Sequence, residues 1–425
     1  MTDSEERLLP AVAVVPAPAA IPSPVRVEGF LNADFGRYWS ASLSAHMAFQ
    51  MQTIVLGWHV LERTDSAFWV GLVAGAYSLP MLLFAPLAGV LADQTRRQTL
   101  AATSLLVGAL AVLGLAALAA LHVDVPWHVV ALSFLVGAGF TIYGPARLAL
   151  LPNLLPAGAL LRASTFEYSS TRFVGFLGPV IAGLVIDVLG TARTLILQGA
   201  LFVTAAALYL TTGRKVGAPQ RGEGARFRWL GSVGDAVRHL RSDPPLLALF
   251  MMSLVVVPVG MAYLKLMPVF ARDVLGTGAA GLGTLVGITS LGTAMSSFVI
   301  AVRGDRFRKG RAVLWAATAY GVSLVALSLS RDVVAAVVAL LVLGLLSGVF
   351  LTLTNVLLQS RANDAVRGRL MALYGMVWGT VPFVTLIAGI VAERVGIAVV
   401  FGGLGAACTA ACLVMAARWP ALKEL

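Results

Sequence analysis

Asp93 closes a long apolar run in "GVLADQTRRQ" (89–98), three and four positions ahead of Arg96 and Arg97. A single carboxylate at such a place can face the positive N-terminal end of another helix. That charge–dipole contact is worth about 0.3–1 kcal/mol when exposed and up to about 2 kcal/mol when partly buried. It is strong enough to latch two parts of a molecule and weak enough to release them repeatedly. The segment has an echo in "AVRGDRFRKGR" (301–311), where Asp305 precedes Arg308 and Lys309 at the same offsets.

Three more ionisable groups stand inside apolar runs: Glu167, Arg172 and Lys265. A charge at mid-bilayer costs about 2.5–3.5 kcal/mol on insertion scales, so each needs a reason to be there. Glu167 lies about one turn inside the cytoplasmic end of its helix, so it is either a boundary residue reaching the interface or a proton-exchange site, with Arg162 or Arg172 near enough to hold it charged. His46 is the alternative proton site, its ordinary pKa lying near about 6.5. Lys265 stands near the outer end of its run and can reach the interface or, alternatively, face the cavity. His46, Gln50 and Thr53 fall on one helical face, as do Thr352, Asn355 and Gln359. These stripes suit hydrogen bonding to a polar ligand or, alternatively, to a packed neighbouring helix.

The elements that must position these groups follow from composition. Of 425 residues, 59% are hydrophobic and only 12% charged, against about 25% charged in a soluble protein. A spanning helix needs about 20 apolar residues. Runs of that length are expected as helices near 38–62, 67–92, 99–121, 127–147, 164–187 and 192–212, then 245–270, 280–302, 312–330, 332–357, 370–392 and 397–416. The expected fold is therefore an all-α membrane protein, with twelve transmembrane helices in two pseudo-symmetric six-helix bundles. Residues 1–37 read as a disordered cytosolic tail, 38–212 and 245–417 as the bundles, and 418–425 as a second tail. The polar 213–244 segment reads as a cytoplasmic linker carrying a short surface helix around 228–242.

With both termini cytoplasmic, 24 of the 31 Lys and Arg residues fall on the inner side and five in outer loops. This is the positive-inside pattern, and it makes the net charge of +11 an insertion signal rather than a nucleic-acid footprint. The expected location is the bacterial inner membrane. Cys408 and Cys412 lie four apart in an apolar run with no further ligands nearby, so they read as packing residues and no metal or cofactor is expected.

A second repeat joins the first. "IAGLVIDVLG" (181–190) and "IAGIVAERVG" (387–396) match in their opening residues, in an acid and in a closing glycine. The two markers recur at spacings of 212 and 206 residues, as two parallel six-helix halves require.

On these grounds the chain resembles the major facilitator superfamily along its length after the tail. "GVLADQTRRQ" is similar to that family's loop 2–3 signature through Gly89, Asp93, Arg96 and Arg97, and the second copy keeps Asp305, Arg308 and Lys309 with Ala301 in place of a glycine. "GFLGPVIAG" resembles the helix-5 signature of exporters through Gly175, Gly178, Pro179 and Gly183, with Ala182 departing from the usual double glycine. "MQTIVLGWHVLERT", "YGPARLALLPNLLP", "RFVGFLGPVIAG" and "VRGRLMALYG" resemble the branch containing enterobactin-type siderophore exporters and related efflux permeases.

The resemblance implies a monomeric secondary transporter in the lipid bilayer that exports a small organic molecule by alternating access, with protons as coupling ion. A facilitator, an uptake permease or a lipid-translocating protein on the same fold is the alternative. It also implies that helices 1, 4, 7 and 10 line the cavity, which makes Gln50, Thr53, Asn355 and Gln359 candidate substrate contacts. Asp93 is expected to latch the cytoplasmic side against the start of helix 11. An ATP-driven pump would need a GxxxxGK[ST] segment, and the sequence has none. Five scattered histidines and few internal carboxylates argue against an enzyme.

Overall fold

The computed structural model describes residues 32–156, 158–213, 229–303, 308–362 and 364–420. Asp305, residues 1–31 of the expected 1–37 tail and residues 214–228 of the expected linker lie outside the described residues; residues 33–37 are not tail but the first turn of a helix that Asn32 caps. The first half comprises α1 (Ala33–Thr64), α2 (Ala67–Gln94), α3 (Arg97–Ala120), α4 (Pro126–Leu150), α5 (Leu160–Leu189) and α6 (Thr191–Thr211). After a surface helix, α7 (Trp229–Ser242), the second half runs through α8 (Pro244–Lys265), α9 (Met267–Asp273), α10 (Ala279–Arg303), α11 (Lys309–Leu329) and α12 (Val333–Arg361). It closes with α13 (Asp364–Trp378), α14 (Val381–Val395) and α15 (Ile397–Arg418). The seventh span is α8 continued by α9, and the eleventh is α13 continued by α14.

Eleven described helical segments are long and apolar enough to cross a membrane. The twelfth, α1, falls short on hydropathy although it has 32 residues. Its polar side chains are the reason: Ser42, His46, Gln50, Gln52 and Thr53 interrupt its apolar run. It packs between α5 and α6 in the first half, where protein rather than lipid surrounds those groups.

Short polar residues start the helices. Asn32 accepts from Phe35 N at 2.7 Å, Asp243 from Leu246 N at 3.1 Å and Asp332 from Ala335 N at 2.9 Å. Gly190 and Gly396, the closing glycines of the second repeat, end α5 and α14 at φ of 80° and 84°. Such a conformation favours glycine.

The packing repeats between halves. In the first, α2 and α3 lie on α4, α3 lies on α6, and α1 lies on α5 and α6. In the second, α10 and α11 lie on α12, α11 lies on α15, and α8 lies on α14 and α15. The halves meet along two matched pairs, α5 with α10 and α2 with α14. Large apolar side chains such as Leu110, Val188 and Trp315 face outward at 72% exposure or more, the surface a bilayer would cover. Cys408 and Cys412 are buried free thiols within α15.

Candidate functional site

The face opposite the chain termini, the far face, carries the loops between α1 and α2 and between α5 and α6. Here the second sequence repeat finds its structural meaning. Asp187, at the end of α5, accepts hydrogen bonds from Ala279 N and Ala280 N, both at 3.1 Å. It therefore caps the first turn of α10 in the opposite half. Glu393, 206 residues later at the end of α14, accepts from Phe68 N at 2.8 Å and from the Ser66 hydroxyl, so it caps α2. Each half supplies the carboxylate that holds the other half's helix N-terminus.

Below these caps the seams are built from small residues. A side chain added at Gly183 would lie 2.9 Å from the Ala279 carbonyl carbon and 3.0 Å from Ala280 Cα, and Gly283 faces the Pro179 carbonyl across the same seam. In the α2–α14 seam a Cβ at Gly71 would meet the Thr385 carbonyl oxygen at 3.0 Å and Gly389 Cα at 3.4 Å. Gly175 and Gly178 serve differently: they admit Gln50 of α1, whose amide donates to the Gly175 carbonyl at 3.4 Å. The helix-5 glycines thus accommodate α1 within one half and α10 of the other.

A third column of ties joins α1 to α8 and α9. At the rim Arg272 donates to Asp65 at 2.5 Å and to the Leu61 carbonyl at 3.2 Å. One layer in, the Pro268 ring lies against Gly57, where a Cβ would stand 2.8 Å from Pro268 Cγ. Beneath that, Lys265 Nζ donates to Thr53 Oγ1 at 3.0 Å. Lys265 thus turns toward the contact between the halves, where Thr53 and the Tyr77 ring receive it, instead of reaching for the interface. Within the first half the far face is braced by Asp124, which receives Arg63 and lies 2.8 Å from His59 Nε2. Burial pushes the Asp124 carboxyl up, but the Arg63 hydrogen bond and the neighbouring His59 outweigh it and hold the carboxyl below its ordinary range.

The polar face of α1 continues toward the termini. Ser42 donates to Glu167 Oε1 at 2.7 Å, and Arg147 of α4 forms an ion pair with the same oxygen. Glu167 is 3% exposed. His46 Nδ1 lies 2.9 Å from the Ser42 carbonyl, with its ring edge-on to Tyr143 at 6.3 Å. Tyr143 and Tyr209 share a buried hydrogen bond of 2.9 Å. From Ser42 to Thr53 this seam extends about 16 Å at 1.5 Å per residue.

The structure brings Glu167, His46, Gln50 and Thr53 onto one seam, whereas Arg172 stands apart. Five residues turn a helix by about 140° beyond one revolution, so Arg172 points away from Glu167. It is exposed, bonded to the Tyr168 hydroxyl with its guanidinium 4.8 Å from that ring's centroid. Arg162 is exposed as well. The partner of Glu167 is Arg147, which sequence reasoning missed because the apolar run was closed at 147 while α4 continues to Leu150. Asn355 and Gln359 bond to each other on α12, and Thr352 reaches Ser297 of α10 at 3.1 Å.

The first sequence repeat lies at the near face, with the termini. Asp93 is exposed and bonds no described residue. Arg96 and Arg308 are exposed at the starts of α3 and α11. Arg97 donates to the Ala149 carbonyl at 2.8 Å within its own half. A Cβ at Gly89 would meet nothing within 4 Å. Among the described residues the side-chain ties between halves gather at the far face, and Asp93, Arg96 and Arg308 make none of them.

Removing both crossed caps tests that closure. Asp187→Ala and Glu393→Ala should each cost the closed far face about 1 kcal/mol, the usual value of an N-cap. Together they should shift the closed-to-open ratio roughly thirtyfold, because the sites are independent. Spin-label distances between the far-face ends of α5 and α10 read this out, and an unaltered distribution in the double variant would refute it.

The chain is similar to known proteins along most of its length. The family described as transmembrane secretion effector is matched by residues 26–424. The multidrug efflux pump Tap of Mycolicibacterium fortuitum is 25% identical over 370 residues, covering 85% of this chain and 90% of that protein. The staphyloferrin A transporter of Staphylococcus aureus is 23% identical, covering 87% and 92%. Among solved structures, the nucleoside transporter NupG superposes with a TM-score of 0.69 at 14% identity over 91% of this chain and 99% of that one.

Proposed function

The chain belongs to the transmembrane secretion effector family of the major facilitator superfamily, and from that premise we propose that it exports a small organic molecule from the cytoplasm by alternating access, driven by protons. It is a multi-pass membrane transporter and not an enzyme. Its similarity to a multidrug efflux pump supports export, and its similarity to a staphyloferrin A transporter supports a small organic cargo. The positive-inside charge bias supports a cytoplasmic near face. On this reading the present conformation is closed outside and open inside, and Asp93 acts in the opposite state, when the near face closes.

The observation that carries the reading is the polar seam of α1, which runs from a buried carboxylate–guanidinium pair to the floor of the outer seal. Glu167 is the proposed proton carrier, with Arg147 as the counter-charge and Ser42 and His46 beside it. Protonating Glu167 would free Arg147 and loosen α4 and α5 from α1, the helix that also touches α9 and Lys265. One proton moving through 100 mV supplies about 2.3 kcal/mol, enough for a roughly fiftyfold gradient of a neutral cargo.

Inside-out vesicles carrying Glu167→Gln should lose substrate accumulation driven by an imposed pH difference while keeping downhill exchange. If the variant still concentrates substrate to the wild-type level, Glu167 is structural and His46 becomes the carrier to examine.

A further inference from the structure

Lys265 is a cation without a counter-charge. Its ammonium group donates to Thr53 Oγ1 at 3.0 Å and lies 4.9 Å from the centroid of the Tyr77 ring. No carboxylate forms an ion pair with it among the described residues. The other buried charge near the pathway is handled differently: Arg147 has Glu167 in direct contact. A hydroxyl and an aromatic face solvate an ammonium only in part. A charge held between helices in a membrane without an opposite charge is retained where something else supplies one.

Its position says what that is. Lys265, Thr53 and Tyr77 are half-buried and line a cavity of about 20 Å³, room for about one water. Gln52 and Val73 complete the polar and apolar walls. Gly57 and Pro268 close the space one turn nearer the far face. Lys265 is therefore the first charged group beneath the outer seal, at the inner end of the column that ties α1 to α8 and α9. Its bond to Thr53 is also one of the bonds that hold the two halves together.

We propose that Lys265 is the recognition point for a carboxylate on the exported molecule, so that the cargo carries at least one such anionic group. This rests on the export reading above and narrows its substrate class. The incoming carboxylate accepts from the ammonium group and takes the place of Thr53. The tie between α1 and α8 is lost as the cargo binds, and the Gly57–Pro268 layer is free to part. Binding and release of the outer seal thus share one hydrogen-bond donor.

The test uses one dye in two forms: rhodamine 110, with a free carboxyl group, and rhodamine 123, its methyl ester. The purified full chain in lipid nanodiscs is titrated with each, as wild type, K265R and K265Q. The wild type should bind the acid at least about tenfold more tightly than the ester, as a charge-assisted hydrogen bond predicts. K265R should keep most of that preference and K265Q should lose it. Without ligand, K265Q should melt no lower than the wild type, because an uncompensated charge has been removed.

Equal affinity of the wild type for both dyes, binding of neither, an acid preference that survives in K265Q, or a lower melting temperature of unliganded K265Q each overturns the proposal. Pumping of both dyes by wild-type vesicles under a pH difference is recorded in parallel. If wild type and K265Q pump acid and ester alike, the carboxylate site falls while export stands. If neither dye moves while the acid preference in binding is intact, the site stands and the export reading is the one in difficulty.

Discussion

Arg147→Ala is expected to cost the first half about 3–5 kcal/mol, the usual penalty for removing one partner of a buried ion pair. Glu167 would keep only the Ser42 hydroxyl, at 2.7 Å, as a partner in a site 3% exposed. Restoring neutrality should restore most of the loss, so Arg147→Ala with Glu167→Ala should melt well above Arg147→Ala alone. Thermal unfolding in nanodiscs measures both. A single variant within about 1 kcal/mol of the wild type would mean that the pair is water-exposed and too weak to serve as a protonation switch.

Gly183→Leu is expected to fold and insert but to trap the transporter with its far face open. In the closed state the new Cβ would press on the Ala279 carbonyl and stand 3.0 Å from Ala280 Cα, and backbone cannot turn aside as a side chain can. Overpacking of this kind costs about 1–3 kcal/mol or more. Because it acts on one state only, it should shift the equilibrium by about 5- to 150-fold and stop turnover. Gly89→Leu is the control, since nothing lies within 4 Å of a Cβ there. Distances across the α5–α10 seam should lengthen in the first variant and remain those of the wild type in the second. If Gly183→Leu transports at the wild-type rate, the seam does not close tightly during the cycle.

The helices could be read in advance because apolar run length is a one-dimensional property, and bilayer thickness fixes its scale. Even the break between α11 and α12, three residues from Ser330 to Asp332, was visible as a polar interruption. Arg147 was harder to place. It looks like the end of an apolar run, and only the continuation of α4 to Leu150 carries it inside.

The crossed caps were invisible for another reason. Asp187 and Glu393 stood in a recognised repeat, but their partners are 92 and 325 residues away, and no local pattern points across that distance. Lys265 stayed open between interface and interior, since a place near a helix end does not say which way a side chain faces. Asp93 marks a different boundary of legibility. It bonds no described residue, so its proposed latching role belongs to the state in which the near face closes, and sequence carries no label for which state a structure will show.

The crossed caps bear on how the two halves move. A contact in which each half gives the same residue to the other is the geometry of a two-fold symmetric dimer, here joined into one chain. In a dimer of identical copies, any substitution would alter both contacts at once. A single chain is free of that constraint: one half offers the short arm of an aspartate and the other the longer arm of a glutamate. The α5–α10 seam has glycines at three levels, Gly183, Gly283 and Gly287, each touching backbone opposite. The α2–α14 seam borders a wide apolar groove between α2, α4 and α14. Two unequal edges do not part together. The outer mouth should open wider along the α2–α14 edge, while the tighter α5–α10 edge parts by a smaller distance.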